Sequence, residues 1–372
     1  MAGNNIRPLK VMFLCAHSEL VGGGQQSLIM ILRHLDRNRV EPLVVCPAEG
    51  GFSRGMKELD IPTRFLPLPD PKGAAFWKQT AAMHRIARLA FREEADFIDG
   101  DTVEAGLYAA LAARMAGAKA VFHARVSDSG RWWDWLLPRL CDGIICVSKA
   151  TTERFSPPVG CRVEVIYSGA APKNFSARDR EYLRNRFGIP QDSFCAVFAG
   201  QLVREKGAAT LLRAIAKLPS ATCLIAGEGP ESGPLQLLAE ELGIRERTVF
   251  TGKLSDARDA YGAGDVTVLP TAWKEGLARV IIESMACGRA VLATPLGGNA
   301  EALADGMTGY MIQPDDPDGL ARRLAELDAD RETLARLGHH AKERALEMFS
   351  PRACALSHEE FYISLSDRGR TK

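Results

Sequence analysis

The sequence lacks the features that would send a chain into a membrane, a disulfide scaffold or a complex with a polyanion. No window approaches 18 uninterrupted apolar residues, so nothing in it reads as a membrane span. The nine cysteines include no CxxC pair, and most sit in apolar runs such as MFLC, VVC and IIC. They read as reduced core thiols of a cytoplasmic protein. The opening MAGNNIRPLK leads into a VMFLC too brief for a signal h-region, with no small-residue cleavage site after it. Charge of either sign is not in excess: 47 basic residues face 46 acidic ones, a formal charge of +1 that gives no global field to gather nucleic acid. There is no repeat of fixed period and no low-complexity tail.

What remains is a chain of 372 residues, 46% hydrophobic, long enough for a large core and for two domains. Short apolar runs alternate with amphipathic stretches. VMFLC (11 to 15), PLVVC (42 to 46), AVF (120 to 122) and GIICVS (143 to 148) read as buried strands, and 25 to 36, 77 to 94 and 103 to 116 as helices. After about residue 173 the pattern restarts with CAVFAG, TCLIAG, RTVFTG, DVTVLP and RAVLAT. Continuous rather than alternating apolar strands predict parallel sheets covered on both faces. The expected architecture is α/β, two Rossmann-like doubly wound domains facing a cleft: residues 1–168, then 174–349. VEVIYSGAAPKNFSARDR fits the linker, and 350–372 reads as a closing helix opened by Ser350 and Pro351, packing back towards the first domain. Ligands in such folds bind outside the carboxyl ends of the strands.

The stretch EGLARVIIESMACGRAVLATPLGGNAE, residues 275 to 301, carries two glutamates eight positions apart. A helix over 276–287 would put Glu283 about 2.2 turns and about 12 Å beyond Glu275, so that the pair addresses different parts of one extended ligand. The backbone N–H groups of Leu277 and Ala278 at its mouth favour an anion, a phosphate above all. The plainer alternative has Glu275 capping the helix and Glu283 facing solvent. Against it, Glu283 lies between VII and SMACG, where an unpaired carboxylate is costly.

TAWKEGLARVIIESMACGRAVLATPLGGNAE resembles the donor-binding signature of the GT4-type retaining glycosyltransferases (glycosyl transferases group 1) of the GT-B fold, in which seven residues separate two glutamates. The resemblance extends over most of the chain. GGGQQSLIMILRHL is similar to that family's glycine-rich loop and first helix, VFHARVSD to its histidine-bearing strand end, and CDGIICVSKATTERF to its segment before the linker. FAGQLVREKGAATLLRA, LIAGEGP, VFTGKL and GMTGYMIQPDDPDGLARRL then follow in the family's order.

The resemblance implies a first domain that binds the acceptor and a second that binds a nucleotide-diphosphate-sugar donor, with no cofactor and no metal. It implies transfer of a sugar to an acceptor hydroxyl with retention, by a front-face path in which a phosphate oxygen of the leaving group takes the acceptor's proton. Glu283 would accept from the ribose, Glu275 would meet donor-sugar hydroxyls, and the backbone at Leu277 and Ala278 would meet the diphosphate or the sugar. Lys206, in VREKG, would neutralise the leaving diphosphate. His123 would face the donor sugar, and Gly23 and Gly24 would let the chain pass close to phosphate or acceptor. Asp99-Gly100-Asp101 mimics a DxD metal motif of another glycosyltransferase fold and reads as a strand-end loop. By analogy the pathway is that of lipopolysaccharide, exopolysaccharide or another surface glycan.

Three departures bear on donor choice or on catalytic strength. The family's Gly-Arg-Leu reads Gly200-Gln201-Leu202, leaving Arg204 to supply the missing charge; Glu-Gly-Phe-Gly reads Glu275-Gly276-Leu277-Ala278; and Asn-Gly-Val-Asp reads Ser168-Gly169-Ala170-Ala171. On the acceptor side, SGRWWDWLLPRL gathers Trp132, Trp133 and Trp135 near Arg131 and Arg139, a set suited to stacking on sugars, to a lipid interface, or to a partly buried helix start. Lys78, Arg85, Arg88 and Arg92 read as a solvated helix face, with peripheral attachment to the inner face of an anionic membrane as the alternative. Two other functions fit the same architecture: a sugar-nucleotide epimerase, which needs no acceptor, and a non-catalytic sugar-nucleotide-binding protein.

Overall fold

The apolar runs become the inner strands of two parallel sheets. The computed structural model describes residues 7–20, 22–69, 75–127, 130–155 and 160–367. The chain divides into two units, Met1–Gly169 with Pro351–Lys372, and Ala170–Ser350.

The first unit holds β1 (Leu9–Leu14), β2 (Val40–Cys46), β3 (Thr63–Phe65), β4 (Phe97–Gly100), β5 (Lys119–Ala124), β6 (Gly143–Cys146) and β7 (Arg162–Val165), in the order β3-β2-β1-β4-β5-β6-β7. Every pairing is parallel. Successive side chains leave a strand on opposite faces, and here both faces are buried, which is why the runs are apolar without alternation. Met12 and Leu14 of β1 join the core under helices Phe76–Arg92, Val103–Ala116 and Arg131–Leu140. Val11 and Phe13 join the opposite core, under Gly23–His34, Gly51–Glu58 and the closing helix Pro351–Asp367.

The second unit holds β8 (Cys195–Ala199), β9 (Thr222–Ala226), β10 (Thr248–Gly252), β11 (Val266–Leu269), β12 (Ala290–Ala293) and β13 (Gly309–Met311), ordered β10-β9-β8-β11-β12-β13 and again all parallel. The stretch read as linker is shorter than expected. β7 takes its first residues, and helix Ala177–Phe187 takes its last, opened by a Ser176–Asp179 capping box and closed by Gly188 in the left-handed region. All nine cysteines are unbridged, and all but Cys161 are buried. Among the described residues no helix is long and apolar enough to cross a membrane.

Candidate active site

In the second unit the strand order reverses between β8 and β11, so the loops leaving their carboxyl ends diverge around a crevice. One loop runs through Gly200 and the exposed Gln201 into a 3-10 turn, Arg204–Lys206. The other runs from β11 to Glu275. Two hydrogen bonds lace them together: the Glu205 carbonyl accepts from the Ala272 N–H at 2.8 Å and from Thr271 Oγ1 at 2.9 Å. Gly207, with φ +76°, ends the turn where a Cβ would lie 2.0 Å from the Pro270 carbonyl oxygen. The lacing brings Lys206 Nζ to 2.5 Å from Glu275 Oε1, with both side chains half-buried.

Glu275 is fixed from its other side by a parallel bridge to Gly297, and its carbonyl accepts the Gly298 N–H at 2.9 Å. This bridge keeps the chain extended, and the helix consequently begins at Arg279 rather than at 276. The correction changes two expectations. Glu275 and Glu283 do not share a helix, so their separation is not two helical turns. Leu277 and Ala278 form a buried lead-in, and the Ala278 N–H already donates to Asn299 Oδ1 at 3.2 Å, so it does not stand open to an anion. Glu283 is neither solvated nor unpaired. Arg279, one turn earlier, donates from Nη2 to its Oε1 at 2.5 Å. Burial first, and then the Glu283 charge, push the Tyr261 phenol well above its ordinary pKa.

The corresponding reversal in the first unit lies between β1 and β4. The glycine trio is not a loose turn. Gly22, extended at φ −158°, caps helix Gly23–His34, and Gln25 Oε1 accepts its N–H at 3.3 Å. A Cβ on Gly24 would lie 3.1 Å from Cδ of Arg125, whose side chain is half-buried against the helix start. Arg125 Nη2 donates to Nδ1 of His123 at 3.0 Å. Arginine has no lone pair to offer, so this bond assigns the His123 proton to Nε2. Burial, then the Arg125 charge, then His358 hold that imidazole well below its ordinary pKa. His123 is therefore a neutral donor. With Arg125, His17, Gly22, Gln25 and Thr102 it lines a pocket of about 360 Å³.

Beneath the pocket, Asp99 is 2% exposed and accepts from the Tyr362 phenol at 2.5 Å. Burial pushes its carboxyl up to about 7, against the lowering effects of Tyr362 and Arg125. Asp101 Oδ1 accepts the Ala16 N–H at 3.3 Å, and burial raises its pKa too. The strand-end loop read at Asp99 to Asp101 is thus half strand: Asp99 and Gly100 belong to β4, and only Asp101 lies beyond it. Among the described residues no group of three or more His, Cys, Asp or Glu side chains is placed to hold a metal ion.

Gly200, Gln201, Arg204, Lys206, Glu275, Leu277, Ala278 and Glu283 all lie on the segments that leave β8 and β11, while Gly23, Gly24 and His123 lie where β1 and β5 deliver them in the other unit. Sequence reasoning missed Arg125, Arg279, Asn299 and Tyr362, and it singled out Asp99 only as part of a strand-end loop. Two of these carried a signal: Arg125 follows His123 by two, the spacing of one side of an extended run, and Arg279 precedes Glu283 by four. Tyr362 and Asp99 are 263 positions apart and carried none.

Comparison with known proteins assigns both halves. The profile of glycosyl transferases group 1 matches residues 179–344, and that of glycosyltransferase family 4 matches residues 21–173. The EpsD protein of Bacillus subtilis (strain 168) is 28% identical over 320 residues, 80% of this chain and 82% of that one. The lipopolysaccharide core biosynthesis glycosyltransferase LpsE of Rhizobium meliloti (strain 1021) is 32% identical over 217 residues, 58% of this chain and 62% of its own, so that match spans under two thirds of LpsE. Among solved structures, Anabaena HepE in complex with UDP superposes with a TM-score of 0.85 at 24% identity, over 96% of this chain and all of that one. Taken with the two doubly wound units, these matches establish that the chain belongs to the GT4-type, group 1 glycosyltransferases and has the GT-B fold.

Proposed function

We propose that this glycosyltransferase moves a sugar from a nucleotide-diphosphate-sugar to an acceptor hydroxyl with retention at the anomeric carbon, without a metal, in the cytoplasmic assembly of a surface glycan such as lipopolysaccharide or exopolysaccharide. The observation that carries the reading is the Lys206–Glu275 pair on two laced loops at the β8/β11 reversal. A cation and a carboxylate held together there suit a ligand with a charged end and a hydroxylated end. Lys206 releases Glu275 to sugar hydroxyls and turns to the diphosphate, where charge develops as the glycosidic bond breaks. Glu283 offers its second oxygen to the ribose while Arg279 keeps the first. His123 donates from Nε2 to a substrate oxygen. Arg204, exposed on the turn, supplies the charge that Gln201 does not.

HepE was solved with UDP and with UDP-glucose, which makes UDP-sugars the first donors to try. Thermal stabilisation by UDP-, GDP-, ADP- and CMP-sugars is compared between the native chain and Glu283→Gln, which keeps an acceptor for Arg279. A ligand bound only to the folded state raises the midpoint as its concentration exceeds the dissociation constant. One nucleotide family should stabilise the native chain and lose its effect in the variant. Release of free nucleoside diphosphate that depends on an acceptor separates the transferase from an epimerase or a binding protein. An inverted anomeric centre in the product, read by NMR, would overturn retention.

A further inference from the structure

Arg279 and Glu283 stand the wrong way round for a pair kept for stability. Arg279 is the first residue of helix Arg279–Ala286, and Glu283 opens its last turn. A helix dipole favours carboxylates at the start and cations at the end, and a pair one turn apart stabilises more with the acid first. Here the cation leads and the acid follows. Their side chains are only 16% and 14% exposed, so both charges have also given up much of their water. The helix gains little from this order of charges. What gains from it is an anion laid along this face near the helix start, where the dipole and the guanidinium act together.

The place of the pair says which anion. On the proposed function, on which this inference rests, Glu275 meets the donor sugar and Glu283 the ribose. A nucleotide-diphosphate-sugar carries its diphosphate between those two parts. Arg279 lies between the two glutamates in the chain, on the helix face of Glu283 and one turn nearer the start. Two groups on which the sequence pattern would rest the diphosphate do not serve it: the Ala278 N–H donates to Asn299 Oδ1 at 3.2 Å, and Gln201 brings no charge. We infer that Arg279 is a diphosphate-binding residue, whose guanidinium holds Glu283 with one N–H and a phosphate oxygen with another. Five donors in one plane permit that double hold, where a lysine offers only a point charge. One side chain then aims the carboxylate at the ribose and neutralises charge on the leaving group, adding to Lys206 and Arg204 the cation that Gln201 lacks.

The test compares UDP, GDP and ADP with uridine, guanosine and adenosine on the full chain, by calorimetry or, where binding is weak, by NMR titration. Each nucleoside has the base and ribose of its diphosphate and nothing for Arg279 to neutralise. The native chain is set against Arg279→Met, which keeps the length and loses the charge, and Arg279→Lys, which keeps the charge and loses the fork. Arg279→Met should bind the preferred diphosphate about tenfold or more weakly than the native chain, with affinity for its nucleoside within about twofold. Arg279→Lys should recover part of that loss, and salt should weaken diphosphate binding more steeply in the native chain than in Arg279→Met. Should Arg279→Met not fold, Arg279→Lys against the native chain carries the same comparison of diphosphate with nucleoside. Equal losses for both ligands would make Arg279 only a prop for Glu283 and overturn the inference, as would diphosphate binding that the substitutions leave unchanged. A native chain that binds none of the three diphosphates overturns the donor-site reading itself, a failure seen before any variant is compared.

Discussion

Arg125 keeps a positive charge 3.0 Å from the His123 imidazole, and Asp99, Asp101, Cys15, Cys354 and His358 are the other titratable groups whose charges act on one or the other, so protonating His123 would set a second cation beside the first in a buried place. Arg125→Met should remove both that charge and the donor to Nδ1. Burial still opposes protonation, but the pKa should rise towards the ordinary value of about 6.5. In ¹⁵N spectra of the histidine rings, native His123 should stay neutral with its proton on Nε2 where an ordinary imidazole takes up its second proton, and the variant should titrate at higher pH than the native chain. A native His123 that titrates normally would sink this account. Asp99 provides a check of opposite sign. Its folded pKa, pushed up to about 7, lies above the unfolded value, so the native state holds a proton that the unfolded chain has lost. Its contribution to stability is whole below about pH 4 and is lost as pH rises through 7. Asp99→Asn does not titrate. The melting midpoint of that variant minus that of the native chain should therefore climb between pH 5 and pH 8; a flat difference would show Asp99 ionised throughout.

Among the elements, the loop from 270 to 278 shows how much of the site was legible and how much was not. The apolar strands before and after it could be read directly, because parallel strands buried on both faces need unbroken apolar runs. The short edge strands β3 and β13, of three residues each, are too brief for a periodicity to register. The helix start was misplaced for a different reason. Nothing local in Glu275-Gly276-Leu277-Ala278 forbids helix, and what keeps these residues extended is a bridge to Gly297, 22 residues later. That bridge yields a prediction. Gly297 has φ +64°, and a Cβ there would lie 2.0 Å from the Glu275 carbonyl oxygen, against backbone that cannot swing aside. Gly297→Ala should destabilise the fold by about 1–3 kcal/mol and, by displacing Glu275, weaken sugar-nucleotide binding at least tenfold. Denaturant melts and the ligand panel measure the two effects separately. Normal binding in the folded variant would mean that the bridge does not set the position of Glu275.

For the molecule as a whole, the notable fact is that the last helix belongs to the first unit. Gly169 and Pro351 pass so closely that a Cβ on the glycine would lie 2.7 Å from the proline Cα, and from there Pro351–Asp367 runs back along helix Gly23–His34. Its inner face completes the core. Phe361 and Tyr362 are 0% exposed and Leu365 is 3%, while Gly143 of β6 has no side chain, leaving the room that Phe361 takes. The buried carboxylate of Glu359 accepts the Asp36 N–H at 2.8 Å and pairs with Arg39 at 2.7 Å, tying the helix to the turn before β2. Burying a large apolar side chain stabilises by about 1.5–3 kcal/mol, so losing three forfeits on the order of 6 kcal/mol, comparable with the whole margin of about 5–15 kcal/mol for a domain. Removing Tyr362 also leaves Asp99 buried without its donor. A chain ended after Ser350 should therefore lose hydrogen-exchange protection across β1, β4, β5 and β6, while β8, β9, β11 and β12, which belong to the other unit, stay protected and still respond to a sugar nucleotide. Protection lost equally in both units would mean that they do not fold as separate cores; protection kept in the first would mean that the closing helix only decorates it.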